Sequence, residues 1–580
     1  MSDDLRLLPA PQSAERLSGE AASTHAARAV IDVSAGLPAQ GFELRCDADG
    51  VRIRAADEAG LRYGRACLGQ LEAQFPGALP ALLIRDWPDF ERRGFMLDIS
   101  RDRVPTLASL RALVDMLAGL RMNELQLYTE HTFAYAGHET VWRDASPMTP
   151  DEVRELDTYC ARAGVELVPN QNSFGHMERW LRHDAYRGLA ESPGSERAAC
   201  LYPDDASFAL VRGLWEELLP NFSSRRCNID CDETFELGEG RSRERVEREG
   251  RGPVYLEFVL RLVDHLQSRG MTVQLWGDIV REHPELISRL PETLTKRLTL
   301  LAWGYDAPLD PAALPAPVRE RLDRLGVGDD RLRGFAPHVE PFAAAGLDFY
   351  VCPGTSSWNS LCGRWPNAAA NLLDAAESGR AAGASGYLIT DWGDRGHLQP
   401  PPVSWPGLVY GAALAWSVDA NRELDVTGAL ADHVLPAQGA GRAEAETLIR
   451  LGSLYPATGL DALNSTALFQ SLMRPLDAPL LTWGEVAAGG LAAVVAELTA
   501  TIEGGGGGRV ARELRQAARL ARHGAWRLAR RNELPAPGAD ALRADLHDAI
   551  AEQARVWSKR SRPGGLPDSL ARLERALEDY

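Results

Sequence analysis

At 580 residues, with 45% hydrophobic and 25% charged residues, the chain has an ordinary globular composition and too much length for one compact domain, so two or three domains are expected. Its formal net charge of −18 excludes the basic footprint that nucleic acid or an anionic membrane surface requires. The eight cysteines are scattered without CxxC spacing, and Cys352 and Cys362 stand too far apart for a zinc signature, so free reduced thiols and no metal or other cofactor are expected. The first residues, MSDDLRLLPAPQSAERL, lack a basic start followed by an apolar run, and no window approaches the apolar length of a membrane span. Together these predict a cytoplasmic protein.

Residues 1–91 read as a small α+β domain. GFELRCDADGVRIRAA (41–56) alternates around Asp47-Ala48-Asp49-Gly50 and predicts a hairpin. A helix is expected over 58–74 from its helical apolar spacing, and Pro88 rules out a long helix after it. Residues 92–417 then repeat strand, loop and helix. Apolar runs at 94–98, 123–128, 165–170, 227–231, 272–276, 298–303, 347–352 and 385–390 predict eight buried strands. Amphipathic stretches such as 108–120, 150–164 and 254–270 predict the intervening helices. The implied fold class is α/β, a (β/α)8 TIM barrel, with a doubly wound open sheet as the alternative. Residues 418–580 are Ala/Leu/Arg-rich and predict a helical C-terminal domain broken by GGGGG at 504–508. That domain is expected to pack on the barrel or to serve a homodimer contact, without chemistry of its own.

Polar and aromatic residues gather just after the strands: Ser100 and Arg101, Glu130 and His131, Asn172 and His176, Asp232 and Glu233, Trp276 and Asp278, Trp303, Trp358 and Asn359, Trp392 and Asp394. In a barrel these positions share the rim where active sites are built. Asp232-Glu233 is the sharpest of them. Adjacent carboxylates repel, so one of the pair is expected to hold its proton near neutral pH and to be able to act as a general acid.

Several segments in order resemble family 20 of the glycoside hydrolases, the β-N-acetylhexosaminidases. Asp86 through Arg101 is similar to that family's lead into its first barrel strand, Asn123 through Leu127 to its second strand, and Pro169 through Phe174-Gly175-His176 to its Pro-Gly-His motif. Asn228-Ile229-Asp230-Cys231-Asp232-Glu233 stands where the family has His-x-Gly-Gly-Asp-Glu. The departures are Asn228, Asp230 and Cys231 for His, Gly and Gly, Asn170 and Asn172 for acidic residues, Phe174 for Pro, and Glu130-His131 for an Asp pair.

The resemblance implies an exo-acting retaining hydrolase that removes a terminal β-linked N-acetylhexosamine from a glycan or glycoside, with gluco and galacto configurations both open. Neighbouring carboxylates cannot easily straddle a sugar ring, which suits a mechanism in which the substrate's own acetamido oxygen attacks. Strand alternation puts Asn228, Asp230 and Asp232 on the barrel's inner face and Glu233 where the chain leaves the strand. Glu233 is therefore read as general acid/base and Asp232 as the carboxylate that orients the acetamido group. The resemblance places Trp276, Trp303 and Trp392 in the sugar and acetamido pocket, with Trp358 a fourth aromatic wall. It gives Arg93 and Asp394 the outer sugar hydroxyls and His176 the support of the acid. The family's acetamido-binding Tyr has no counterpart, and Asn359 is read as the substitute donor. Two alternatives stand beside this reading: a sugar-binding protein without catalysis, and a metal-dependent hydrolase using Asp230, Asp232, His131 and His176.

Overall fold

The computed structural model describes residues 5–18, 22–23, 28–33, 36–324 and 327–580. The N-terminal unit is a five-stranded sheet in the order Ser13–Arg16, Leu82–Asp86, Phe42–Asp47, Gly50–Ala55, Arg28–Ile31. The expected hairpin pairs Asp47 with Gly50 and Phe42 with Ala55. Helix Glu58–Gln74 starts at Asp57, whose side chain accepts the Gly60 N–H. Its Leu61, Tyr63, Cys67, Leu68 and Leu71 cover Phe42, Leu44, Ile53, Leu82 and Ile84. The alternation of the strands and the helical spacing thus meet in one small core.

The central unit is the predicted barrel. Its strands are Arg92–Asp98, Glu124–Tyr128, Glu166–Pro169, Arg226–Asn228, Thr272–Trp276, Leu298–Trp303, Asp348–Cys352 and Gly386–Asp391, each parallel to its neighbour. The last strand pairs with the first, and a bridge between Asn170 and Asn228 joins the third to the fourth, closing the circuit. The fourth strand is shorter than expected. It ends at Asn228 because Asp230 and Cys231 take positive φ of 56° and 64°, which no strand accommodates.

The barrel interior is layered. At its floor Arg92 pairs with Glu124 and Glu166. Above lies a layer of amides, in which Gln126 donates to Gln274 at 2.8 Å and accepts from Asn170 and Asn228 at 2.9 and 3.0 Å. The two unusual asparagines of the sequence, Asn170 and Asn228, are therefore partners of one glutamine rather than independent losses of acid and base. Near the mouth Tyr128, Trp276, Leu301, Cys352, Trp358 and Trp392 form an aromatic cluster distinct from the outer core.

After the fully buried helix Trp405–Trp416 come further helices, among them Ala467–Met473, Ala488–Glu503, Arg509–Arg531, Ala539–Trp557 and Leu566–Glu574. The glycine run 504–508 separates two of them. They pack on the barrel and reach its rim. Arg572 and Arg179 both grip the buried Asp102, and Arg562 donates to the Pro105 and Pro147 carbonyls. Among the described residues no helix is long and apolar enough to cross a membrane.

Candidate active site

The loop after the fourth strand carries the two adjacent carboxylates. Its geometry costs backbone strain of about 1–3 kcal/mol for each non-glycine residue at positive φ. Asp230, Cys231 and Glu233 all lie there, as does His176. The strain is held by local bonds: Asn228 Oδ1 accepts the Asp230 N–H, the Asp230 carbonyl accepts the Trp276 N–H, and the Cys231 carbonyl accepts the Tyr255 hydroxyl at 2.9 Å. The left-handed conformation also explains why the resembling motif has glycines at positions 230 and 231.

Glycine is required at one facing position. A Cβ on Gly175 would stand 2.4 Å from the Asp232 carbonyl oxygen. Its absence lets the third-strand loop close in, so that His176 Nε2 lies 3.5 Å from Asp232 Oδ2 and 3.4 Å from Glu233 Oε2. Asp232 is buried and also accepts from Asn172 Nδ2 at 3.3 Å, while the Glu233 side chain is 35% exposed at the mouth. Burial pushes the Asp232 carboxyl up, but His176 and then Arg101 outweigh it and hold it below the usual range. Burial likewise pulls the His176 imidazole down, and Asp232 and Glu233 reverse this, holding it well above its ordinary value. A third carboxyl beside the pair is shifted as well. Asp278 accepts the Glu233 N–H, and burial followed by the Asp232 charge pushes it up to about 7.

The four expected tryptophans converge. Trp276 and Trp392 have ring centroids 6.1 Å apart, Trp392 meets Tyr128 edge-on at 4.8 Å, and Trp303 stacks on Tyr305, which meets Trp358 edge-on at 5.2 Å. Trp276 is fixed by its indole N–H, which donates to Asp230 Oδ1 at 2.8 Å. Asp394 and Asn359 are joined by a 3.4 Å hydrogen bond. Glu130 is at the rim, but it is engaged by Tyr128 Oη at 3.0 Å and Arg101 Nε at 3.2 Å. Burial raises it to about 7 against the pull of Arg101.

Arg93 is not in the site. It stands second in the first strand, at the opposite end of the barrel, fully buried between Tyr63 and Trp416, and donates to the carbonyls of Phe90, Glu91 and Arg121 and to Tyr63 Oη. The guanidinium at the rim is that of Arg101. It pairs with Asp98 at 3.1 Å and Glu130 at 3.2 Å and lies over Tyr128 and Trp392. His131 is likewise apart from His176, since it lines a small cavity with Asp102, Arg179 and Arg182. Among the described residues no cluster of three or more His, Cys, Asp or Glu is arranged to hold a metal.

Sequence reasoning missed Tyr305, whose placement two residues beyond Trp303 at a strand end was the available signal. It also missed the C-terminal segment. The Thr466 N–H and Ser465 hydroxyl donate to the Asn359 carbonyl, and the Asn464 N–H donates to Asp306, next to Tyr305.

This arrangement pairs an accessible carboxyl with a deep ionised one, joined by an imidazolium and walled by aromatic faces, which is chemistry for protonating a leaving group beside a bound sugar. Comparison with known proteins gives the same direction. The sequence matches the profiles "Glycosyl hydrolase family 20, domain 2" over residues 14–87 and "Glycosyl hydrolase family 20, catalytic domain" over residues 90–313, together more than half of the chain. Hexosaminidase D of Homo sapiens is 28% identical over 231 residues, 38% of this chain and 46% of the relative. The Bos taurus protein of that name is 27% identical over 215 residues, 36% of this chain and 61% of the relative. The chain thus spans about half of the length of these relatives. In fold it is similar to the chitobiase of Flavobacterium johnsoniae, with a TM-score of 0.57 at 16% identity over 99% of this chain and 100% of that one.

Proposed function

Because the chain belongs to glycosyl hydrolase family 20, we propose that it is an exo-acting retaining hydrolase that releases a terminal β-linked N-acetylhexosamine from a glycan or glycoside. The observation that carries this reading is the bridge from His176 Nε2 to Asp232 Oδ2 and Glu233 Oε2. It holds one carboxylate ionised deep in an aromatic pocket and leaves the other at the mouth, where a leaving group departs.

In the first step the substrate's acetamido oxygen attacks C1, and the bond from C1 to the leaving oxygen breaks. Glu233 gives its proton to that oxygen. Asp232 accepts the acetamido N–H and stabilises the positive charge that develops as an oxazolinium forms. Tyr305 supplies the hydroxyl that donates to the acetamido oxygen. Trp276, Trp303, Trp358 and Trp392 enclose the group and exclude water. In the second step Glu233, now ionised, takes a proton from water as that water attacks C1; the bond from C1 to the acetamido oxygen breaks, the acetamido group is restored, and the β-anomer is released. Arg101 and Asp394 grip the outer hydroxyls and block extension of the sugar, which makes the action exo.

The test is hydrolysis of p-nitrophenyl N-acetyl-β-glucosaminide and -galactosaminide, with the product anomer followed by NMR and a thiazoline inhibitor as control. Release of the β-anomer and tight thiazoline inhibition are expected, and Glu233→Gln abolishes turnover of poor leaving groups while retaining thiazoline binding. Saturable sugar binding with no release from either substrate would establish a binder instead. Equal cleavage of the 2-hydroxy glucoside would remove the acetamido group from the reaction.

A further inference from the structure

Behind the loop that carries Trp392 and Asp394, outside the barrel, lies a cavity of about 80 Å³. It sits between the outward face of the first strand, helix Leu107–Gly119 and helix Trp405–Trp416, and Arg560 and Ser561 cover it. Most of its wall is apolar: Phe95, Leu97, Leu110, Leu113, Met116 and Leu408. Leu97, one residue from the strand's end, is partly accessible while its neighbours Met96 and Asp98 are buried.

One end of the cavity is cationic. Arg103 is 3% exposed; its Nη1 donates to the Gln399 carbonyl at 2.7 Å, and its Nε has no partner. Among the described residues it makes no ion pair, because both nearby acids are otherwise engaged. Glu513 is held by Arg560 in a two-pronged pair, and Asp391 accepts from the hydroxyls of Thr355, Ser357 and Ser404. Burial pulls the Arg103 guanidinium down to about 9 against the smaller opposing pulls of Glu513 and Asp391, and its face lies over the Trp557 ring at 4.6 Å. A buried donor without an acceptor is costly and favours a ligand that supplies one.

Ala112, Met116 and Gln438 line both the cavity and a wider groove of about 650 Å³ between helix Glu58–Gln74, helix Leu107–Gly119 and residues 432–438. A tail anchored at Arg103 and longer than the cavity would meet the groove only past these three side chains, at a neck beside Ala112. Glu513 and Asp391 close by oppose a dianion, so a singly charged head fits best.

We propose that this cavity is an effector site for a small monocarboxylate with an unbranched apolar tail, its carboxylate on Arg103 and its first carbons among Phe95, Leu97, Leu110 and Leu408. A cavity of about 150 Å³ holds benzene, so this one takes about three or four carbons before the tail reaches the neck. The site is joined to the sugar pocket. Asp391 and His397 form part of its wall and flank Trp392 and Asp394, and Gln399, whose carbonyl holds Arg103, donates its Nε2 to the Trp392 carbonyl at 3.1 Å. Binding alone does not rest on the hydrolase reading; the coupling to sugar turnover does.

The test titrates the full chain with sodium acetate, butyrate, hexanoate and octanoate at constant ionic strength, by calorimetry and thermal shift. Affinity is expected to rise about fourfold per methylene over the first carbons and to fall at least tenfold for octanoate in Arg103→Gln. Ala112→Phe, at the neck on a partly exposed helix position, is expected to keep the gain up to butyrate and remove any gain beyond it, and it keeps the test valid should Arg103→Gln misfold. Affinity independent of tail length, no saturable binding, or unchanged binding in Arg103→Gln would overturn the site. Octanoate is expected to change KM for the aryl glycoside in the wild type but not in Ala112→Phe, and unchanged kinetics with octanoate bound would overturn the coupling. A protein that binds octanoate yet cleaves no glycoside refutes the hydrolase reading and upholds the site.

Discussion

Asp278 Oδ2 accepts the backbone N–H of Glu233 at 3.3 Å, and its other oxygen is buried without a partner. The acid at the mouth is thus held by a carboxyl that itself titrates near neutrality, pushed up to about 7 by burial and by Asp232. In the unfolded chain an Asp titrates near ~4. Below that value Asp278 adds nothing to the pH dependence of stability. Between about 4 and 7 the folded protein keeps a proton that the unfolded chain loses, so stability falls as pH rises, and above about 7 the penalty is constant. Asp278→Asn keeps an acceptor for Glu233 and removes the charge. Its melting midpoint is expected to exceed that of the wild type by a few degrees at pH 8, with the gain shrinking towards pH 5. A gain that does not vary with pH in scanning fluorimetry would contradict the assignment.

Arg101 and Arg93 offer a contrast between the two ends of the barrel. Removing a charged hydrogen-bonding partner from the sugar costs about 1.5–3 kcal/mol, so Arg101→Met is expected to lower kcat/KM by about ten- to a hundredfold. Arg93→Met strips donors from buried carbonyls at the floor and is expected to lower the melting midpoint with KM unchanged. The reverse pattern in steady-state kinetics would return Arg93 to sugar binding.

Tyr305 stacks on Trp303 and stands within electrostatic reach of Asp232. If its hydroxyl steadies the charge that develops on the acetamido group, Tyr305→Phe lowers kcat by about 100- to 1,000-fold and leaves the circular dichroism spectrum as it was. A loss below threefold would leave the acetamido oxygen to Asn359.

Asp230 combines a strained backbone with a useful side chain. Asn tolerates left-handed φ and still accepts the Trp276 indole N–H, so Asp230→Asn is expected to be as stable as the wild type or more so, since burial and Asp232 already hold this carboxyl well above its ordinary range. Asp230→Ala keeps the strain and abandons the indole, at a cost of about 1–3 kcal/mol. Denaturant midpoints that rank the Ala variant above the Asn variant would refute this account.

Much of the fold was legible because each barrel strand is a short apolar run followed by a helical period, and because the pentaglycine and the Asp47–Gly50 turn punctuate the chain. The rim was legible for the same reason: residues just past a strand's end share one face. Arg93 was misplaced by trusting its neighbourhood over its position. It precedes Gly94 at the start of a strand that runs to Asp98, so strand direction alone puts it at the far end from Arg101. The short fourth strand was not legible, because alternation carries no sign of positive φ at Asp230 and Cys231, neither of which is glycine. The bond from Thr466 to Asn359 was not legible either, since no local period encodes a contact more than 100 residues distant.

The loop bearing Trp392 and Asp394 is clasped from outside the barrel, by Gln553 on the Leu398 carbonyl and by Ser569 on that of Gly396. On a ribosome the eight strands can close well before either clasp has been synthesised. The last contacts that hold this loop therefore come from the part of the chain that leaves the ribosome last.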